Sequence, residues 1–195
     1  MHSRGFPPVA RADARVLVLG SLPGQESLRR RQYYAQPRNA FWTIMGELFG
    51  AGPSLPYARR VARLRASGVA LWDVCERAFR RGSLDTSILP ASVVVNDFTA
   101  FFRTHPRIRL VCLNGGKAEE LYRRRVLPRL TAEAAALPRL RLPSTSPAHA
   151  AQPLAAKLAA WRAVARAAAA RPELAGAAPA GAPARQDRDG AADNE

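Results

Sequence analysis

The stretch Val16-Leu17-Val18-Leu19-Gly20-Ser21-Leu22-Pro23-Gly24 decides the fold. Its first four residues form a continuous apolar run rich in branched side chains, which is typical of a strand buried on both faces in a parallel sheet. The glycines and the proline that follow end the strand in a loop whose backbone amides can approach a ligand closely. This stretch therefore predicts a central parallel strand with a binding loop at its carboxyl end.

Three further apolar runs have the same character: Val69 to Val74, Arg109 to Leu113 and Leu140 to Leu142. Between and after these runs, apolar residues recur at helical spacing. The predicted helices cover residues 41–49, 57–64, 98–102, 118–127 and 154–164. Strands that alternate with helices predict an α/β fold, a three-layer α/β/α sandwich with a short, mainly parallel four-stranded central sheet.

Each predicted strand ends in small, polar or turn-forming residues. The four ends are Gly20–Gly24, Trp72-Asp73, Asn114–Lys117 and Pro143–Ala148. In open α/β sheets, ligands bind at the carboxyl ends of the strands. We therefore expect one pocket to collect these loops, although Gly, Pro and Ser also make ordinary strand-ending turns.

The charge of the chain is strongly positive and unevenly spread. The 195 residues carry a formal net charge of +15, and residues 172–195 hold five acidic and two basic residues. Residues 1–171 thus keep 28 basic and 10 acidic residues, a net charge of +18. This excess favours a polyanionic partner, most simply nucleic acid, over the alternative of a solvated surface. The 28 Arg against 2 Lys also fit a GC-rich genome without any function.

The composition divides the chain into three parts and excludes several protein classes. We predict an irregular lead-in over 1–14, one domain over 15–171, and a disordered, acidic tail rich in Ala, Pro and Gly over 172–195. No apolar run reaches the length of about 18 residues that a membrane span needs, and no secretory segment is evident. Cys75 and Cys112 are far apart and apolar in context, so we expect buried thiols, no disulfide, no metal and no cofactor.

The segment from Gln32 to Trp42 has the composition of a pocket for a planar base. Tyr33 and Tyr34 offer stacking faces, and Asn39 and Arg38 offer hydrogen-bonding groups. Structural alternatives remain, because the aromatic side chains can belong to the core, Asn39 can cap the following helix, and Arg38 can be one more surface base.

The ordered combination of these blocks resembles the uracil-DNA glycosylase superfamily, most closely its hypoxanthine (deoxyinosine) DNA glycosylase branch. The resemblance rests on Val16–Gly24, Tyr34–Trp42, Asn114–Ala118 and Leu142–Ala148, and it runs from about residue 5 to Arg171. It implies an α/β/α fold, base flipping and a monofunctional DNA glycosylase that hydrolyses hypoxanthine from DNA. The implied partner is double-stranded DNA with a damaged base.

Carried over to this sequence, the resemblance assigns catalysis to Asn39 and stacking on the base to Tyr34. It makes Gly20–Gly24 the loop that cradles the flipped nucleotide, and Ser144–Ala148 the loop that enters the minor groove. The implied substrate-binding residues are Gly20, Ser21, Leu22, Pro23, Gly24, Tyr34, Asn114 and Ser144. The expected DNA-binding residues are Arg38, Lys117, Ser146, Pro147, Ala148 and His149.

The sequence departs from the family pattern at four positions. Leu22 stands where several relatives have an Asp or Asn that positions the attacking water, which is why catalysis is assigned to Asn39. Gln36 replaces a usual His, which leaves the polarity of the pocket open. Trp72 falls near the base-reading Asn of uracil-specific relatives and argues against strict uracil specificity. Ala148 is a small wedge, so insertion into DNA can depend on Pro147 or His149.

Two rival functions remain open: uracil excision by the same fold, and noncatalytic binding of damaged DNA by a scaffold that has lost the polar residue at Leu22. Lyase chemistry needs a nucleophilic amine in the pocket, and neither Lys117 nor Lys157 lies in a matching motif as a Schiff-base residue. We expect a monomeric cytoplasmic enzyme, nucleoid-associated if bacterial.

Overall fold

Four parallel strands lie at the centre of the fold in a computed structural model, which describes residues 2–170. The structure has two sheets, and in chain order their strands are β1 (His2–Arg4), β2 (Val16–Gly20), β3 (Val69–Asp73), β4 (Cys75–Phe79), β5 (Val94–Val95), β6 (Leu110–Asn114) and β7 (Arg139–Leu142). Strands β3, β2, β6 and β7 form a parallel sheet in that order. All four predicted strands and the predicted α/β class are therefore confirmed.

The register brings the carboxyl ends of these strands together. Strand β2 is buried along its whole length, as the apolar run predicts. Gly20 at its end pairs with Asp73 of β3 on one side, and β6 flanks β2 on the other. At the end of β6, Asn114 pairs with Leu142 of β7. The residues that follow the four strands are thus neighbours at one edge of the sheet.

Helices cover the sheet on two sides. In chain order they are α1 (Gln25–Arg30), α2 (Phe41–Phe49), α3 (Tyr57–Ala66), α4 (Phe98–Thr104), α5 (Gly116–Leu121), α6 (Ala132–Ala136) and α7 (Leu154–Ala169). The chain passes from β2 to β3 in one direction and from β3 through β6 to β7 in the other. Because such crossovers are right-handed, α2 and α3 lie on one face and α4 and α5 on the other.

Helix α7 packs against α2 and against strands β2 and β7. The Trp161 ring meets the Phe41 ring edge-on at 5.8 Å between centroids, and the Trp161 indole donates a hydrogen bond of 3.0 Å to the Pro143 carbonyl. This packing fixes the start of α2 and the loop after β7, which form two sides of the candidate site.

A second, antiparallel sheet of strands β1, β4 and β5 was not predicted from the sequence. The lead-in is therefore not irregular throughout, because His2–Arg4 pairs with Arg77–Phe79 of β4. Val9 also exchanges two backbone hydrogen bonds of 2.9 Å with Leu71 at the edge of β3. Strands of two to five residues without clean alternation carry no periodic signal, so only their pairing identifies them.

The predicted helix over 118–127 is interrupted. Helix α5 begins at Gly116 and ends at Leu121, and a π turn over Tyr122–Val126 and a 3-10 turn over Leu127–Arg129 follow it. Pro128 lacks a backbone N–H and cannot continue the regular ladder.

Within residues 2–170, none of the helices has the length and apolar character that crossing a membrane requires. The tail predicted over 172–195 lies outside the described residues.

Candidate active site

A cavity of about 540 Å³ opens at the carboxyl ends of the parallel strands. Its position beside the end of β2 is the point where the chain reverses direction across the sheet, which is where open α/β sheets bind ligands. All but one of the predicted catalytic, substrate-binding and DNA-binding residues line it. They are Gly20, Ser21, Leu22, Pro23, Gly24, Tyr34, Arg38, Asn39, Asn114, Ser144, Ser146, Pro147, Ala148 and His149.

Lys117 is the exception, because it does not line the cavity. Its ammonium group donates a hydrogen bond of 3.0 Å to the carboxylate of Glu120, one turn further along α5. A lysine and a glutamate three residues apart on a helix are close enough to pair. A contact between Lys117 and DNA stays a prediction.

Asn39 lies at the wall of the cavity just before α2. Its side-chain oxygen accepts a hydrogen bond of 3.0 Å from the backbone N–H of Phe41. The predicted capping role and the position in the pocket are therefore compatible, although Ala40 is the N-cap residue by backbone geometry. The Phe41 bond orients the amide and leaves one lone pair of Oδ1 and the Nδ2 group for a ligand.

Tyr34 adopts a left-handed backbone conformation, with φ of 52°. One face of its ring stacks on Phe41 at 4.0 Å between centroids and an interplanar angle of 19°. Its hydroxyl accepts a hydrogen bond of 3.1 Å from the Asn114 amide, and burial raises the pKa of the phenol. The ring is thus a rigid, neutral wall of the cavity.

Asn114 acts as a clamp between two of the loops. Its Nδ2 donates to the Tyr34 hydroxyl and, over 2.9 Å, to the Thr145 hydroxyl, while its Oδ1 accepts from the Thr145 backbone N–H at 3.0 Å. Both amide hydrogens are therefore already used within the protein. The expected direct contact between Asn114 and substrate stays a prediction, and the geometry gives it a positioning role.

Gly115 allows the loops after β6 and β7 to approach each other. Its φ is 94°, and a Cβ at this position would lie 2.9 Å from the Ser144 Cβ. Further hydrogen bonds hold the loop after β7. Ser146 accepts one of 3.2 Å from the Ala148 N–H, and the Lys157 ammonium donates one of 2.9 Å to the His149 carbonyl. Loop Ser144–Ala148 is therefore fixed, with Ala148 and His149 exposed beside the cavity.

Sequence reasoning missed a polar cluster beneath the Gly20–Gly24 loop. Arg80 is fully buried, and its guanidinium donates hydrogen bonds to the carbonyls of Leu22 and Pro23. It also lies 3.6 Å from Asp85, whose carboxylate accepts a hydrogen bond of 2.7 Å from the Ser21 hydroxyl. The polar segment after β4 gives no sequence signal for this packing, because its turns are stabilised by contacts with a distant loop.

Asp73 was expected only as part of a strand end and not as a site residue, and its position corrects the expectation for Trp72. The Trp72 indole points into the core, where it contacts the rings of Phe98 and Phe101 and donates a hydrogen bond of 3.0 Å to the Phe6 carbonyl. The next residue, Asp73, lines the cavity instead. Side chains alternate between the two faces of a strand, so a shift of one residue exchanges core and cavity. The signal for Asp73 was an acidic residue that ends a fully apolar run.

The carboxyl group of Asp73 is in an unusual electrostatic environment. Burial, and secondarily the negative charge of Asp85, raise its pKa from the ordinary 3.8 to about 8, against the opposing effect of Arg80. A carboxyl group with this pKa is mostly protonated at neutral pH. Among residues 2–170, no three His, Cys, Asp or Glu side chains are grouped as a metal site.

Comparison with known proteins identifies the family. A family model of the uracil DNA glycosylase superfamily matches residues 7–166. Two relatives named hypoxanthine DNA glycosylase, from Methanosarcina acetivorans and Methanosarcina barkeri, are 39% and 38% identical over 121 residues, which is 62% of this chain and 75% of each relative.

A solution NMR structure from M. acetivorans, provisionally named a uracil DNA glycosylase, superposes with a TM-score of 0.71 and 34% identity, covering 86% of this chain and 99% of that one. Fold, sequence and the position of the cavity agree with the predicted resemblance. The chain belongs to the uracil DNA glycosylase superfamily.

Proposed function

We propose that this chain is a monofunctional DNA glycosylase that flips deoxyinosine out of double-stranded DNA and hydrolyses its N-glycosidic bond. The names of the two Methanosarcina relatives support hypoxanthine as the base. The observation that carries the proposal is the cavity of about 540 Å³, which lies at the strand ends and combines the Tyr34 ring with amide and hydroxyl groups and the carboxyl groups of Asp73 and Asp85. Pockets for small planar ligands have this size and composition.

In this proposal, Asn39 positions the attacking water. Hydrolysis of the glycosidic bond gives the sugar oxocarbenium character and needs a water placed on the face opposite the base. The Phe41 N–H holds the Asn39 amide in one orientation, and the second lone pair of Oδ1 accepts a hydrogen bond from the water. Leu22, only 5% exposed, forms an apolar part of the cavity wall and has no polar group for this task.

The departing base needs stabilisation rather than a strong acid. Hypoxanthine leaves with its negative charge spread over a carbonyl oxygen and ring nitrogens, so oriented amides and dipoles lower the barrier. The backbone of Gly20–Gly24 is suited to this role because hydrogen bonds with Arg80 and Asp85 hold the loop in place. The Tyr34 ring supports the base plane while its own hydroxyl is held by Asn114.

DNA binding is mainly electrostatic in this proposal. The net charge of +18 on residues 1–171 attracts the phosphate backbone, and exposed Arg38 lies at the rim of the cavity. Loop Ser144–Ala148 and the adjacent His149 approach the duplex beside the flipped nucleotide. Flipping costs a few kcal/mol and costs less at a mispaired base such as deoxyinosine. We propose that the enzyme acts as a monomer in the cytoplasm, where a bacterial chromosome lies.

Uracil is the second candidate substrate, because the NMR relative carries the name of a uracil DNA glycosylase. Alkaline cleavage of end-labelled duplexes that contain hypoxanthine, uracil or xanthine ranks the three bases in one experiment. We expect the highest single-turnover rate on hypoxanthine. Faster release of uracil would make uracil, and not hypoxanthine, the substrate. Binding of damaged duplex with no abasic product would show a noncatalytic module.

The role of Asn39 has its own test. Asn39→Ala should retain duplex binding and lower the rate of base release by about a hundredfold, as expected when a positioning or hydrogen-bonding group is removed. Asp97→Ala is the matched control, because Asp97 also accepts a hydrogen bond at a helix start, from Ala100, but does not line the cavity. Near-normal excision by Asn39→Ala, or an equal loss in Asp97→Ala, would contradict the assignment.

A further inference from the structure

Asp73 is a buried carboxyl group that faces the cavity without a complete set of partners. The residue ends β3 and is 3% exposed, and it contributes to the cavity lining. Its Oδ2 atom has no hydrogen-bond partner among residues 2–170. Buried polar atoms in proteins are nearly always hydrogen-bonded, so an unpaired one beside a ligand cavity indicates that the ligand completes it.

Gly20 allows the Asp73 carboxyl group to lie close to the end of β2. A Cβ on Gly20 would overlap the Asp73 Oδ1 atom and would lie 3.0 Å from the Tyr34 hydroxyl. Glycine at this position therefore allows the carboxyl group and the tyrosine to converge at the end of β2. The Tyr34 hydroxyl is fixed by Asn114, so the polar groups at this end of the cavity are held in place before a base enters.

Burial, and secondarily the negative charge of Asp85, favour the protonated form of Asp73 at neutral pH. The titratable and charged groups that interact with it are Tyr33, Tyr34, Tyr57, Cys75, Arg80 and Asp85. The tyrosines and the cysteine have raised pKa values and are uncharged. Arg80 favours the carboxylate, but burial and Asp85 outweigh it and raise the pKa of Asp73 to about 8.

A protonated carboxyl group has one donor and one acceptor side by side. The lactam edge of hypoxanthine, with its C6 carbonyl and N1–H, presents the complementary pair. A carboxylic acid kept neutral by its environment can also donate a hydrogen bond to an oxygen that becomes negative during a reaction. An ionised carboxylate in the same place would repel the departing base anion.

We propose that Asp73, in its protonated form, binds the lactam edge of the flipped base and stabilises the base as it leaves. This inference rests on the proposed function. The C1′–N9 bond breaks and its electron pair goes to the base, while water bonds to C1′ and loses a proton, which passes through solvent to the departed base anion. Asp73 keeps its proton throughout and donates it only in a hydrogen bond to the carbonyl oxygen, so water is the only reactant consumed.

The test is the pH dependence of single-turnover excision by the wild type, Asp73→Asn and Asp73→Ala. An asparagine keeps one donor and one acceptor but does not titrate, so Asp73→Asn should stay active at pH 7 and lose the alkaline decline that Asp73 causes. With a pKa of about 8 for Asp73, the rate ratio of Asp73→Asn to wild type should rise about tenfold between pH 7 and pH 9. Ionisation of the substrate base affects both proteins equally and cancels in the ratio.

Asp73→Ala should lower the rate at pH 7 by about a hundredfold, without a lower melting temperature. Asp97→Asn, which changes an exposed carboxylate outside the cavity, should follow the wild-type pH profile. A flat ratio between pH 7 and pH 9, or excision by Asp73→Ala within threefold of wild type, would overturn the inference.

The substrate does not decide this test, because uracil has a lactam edge as well. If the wild type releases uracil rather than hypoxanthine, the substrate proposal fails and the Asp73 comparison proceeds on uracil duplexes. If the wild type releases hypoxanthine and the Asp73 variants behave like it, the inference fails while the proposed function stands.

Discussion

The buried carboxyl group of Asp73 should make the protein less stable as the pH rises from about 4 to about 8. An aspartate ionises near pH 3.9 in an unfolded chain, whereas burial raises the pKa of Asp73 in the folded protein to about 8. Between these values the unfolded state has lost the proton and the folded state retains it. The free energy of unfolding then falls by about 1.4 kcal/mol per pH unit, or roughly 4 kcal/mol by pH 7.

This loss is a large part of the total stability of a domain, which is about 5–15 kcal/mol. Denaturant unfolding of the wild type and Asp73→Asn at several pH values between 4 and 7 measures it. The variant should gain about 1.4 kcal/mol on the wild type for each pH unit. Other titrating groups occur in both proteins and cancel in the difference. Parallel stability curves would show that Asp73 does not titrate with a raised pKa and would refute the reasoning.

Three further predictions concern the cavity and the charge. Gly20→Ala should lower excision by about a hundredfold, because its Cβ overlaps Asp73 Oδ1; an unchanged rate would contradict the placement of Asp73. Asn114→Ala should lower the free energy of unfolding by about 1–3 kcal/mol, because it leaves the Tyr34 and Thr145 hydroxyls without this partner. An unchanged denaturant unfolding curve would show that Asn114 does not hold the two loops together. Duplex affinity should fall by about a thousandfold or more between 50 and 200 mM salt if about six phosphates are contacted, whereas a flat titration would exclude phosphate binding by the basic surface.

The central sheet could be predicted because its strands are buried on both faces. Val16–Leu19 and the apolar run that starts at Val69 show continuous apolar side chains, and the structure buries every residue of both strands. Helix α2 was predictable for the same reason, since its periodic apolar residues form one buried face. Local pattern and long-range packing agree in these elements, which is why the predicted α/β class and family are confirmed.

The second sheet could not be predicted, because its strands are short and lack a regular apolar pattern. His2–Arg4 and Cys75–Phe79 show no clean alternation, and only their pairing defines them. The segment that follows β4 brings Asp85 to the cavity and Arg80 beneath the first loop. Its role depends on contacts across more than fifty residues of sequence, which propensity and periodicity do not report.

The candidate site could be predicted where its residues end strands or interrupt an otherwise regular pattern. Asn39 precedes a helix, and the glycines of the first loop follow an apolar run, so both were predicted at the pocket, and both line the cavity. Lys117 also follows a strand, but its pairing with Glu120 depends on the exact start of α5. The neutral state of Asp73 arises from three-dimensional burial, and an aspartate at a strand end gives no sign of it.

Leu22 shows how the site divides its tasks among elements. With no polar side chain at this position, the loop contributes backbone amides and an apolar wall. The amides can stabilise a departing base only if the loop is rigid. The Leu22 carbonyl is held by the Arg80 guanidinium, and the Ser21 hydroxyl is held by Asp85. In the proposed mechanism, the polar chemistry comes from Asn39 and Asp73, which belong to other elements of the fold.

The separation of phosphate binding from base binding also explains why a strongly basic protein needs a neutral group beside the flipped nucleobase. The basic surface supplies binding to phosphate, which carries no information about the base. Arg80 lies under the loop and favours negative charge nearby, so an ionised Asp73 would cancel that field where the base becomes an anion. A protonated Asp73 leaves the field of Arg80 intact and adds a hydrogen-bond donor. Burial of Asp73 lowers the stability of the folded protein, and this loss follows from holding the site in the arrangement that stabilises the transition state.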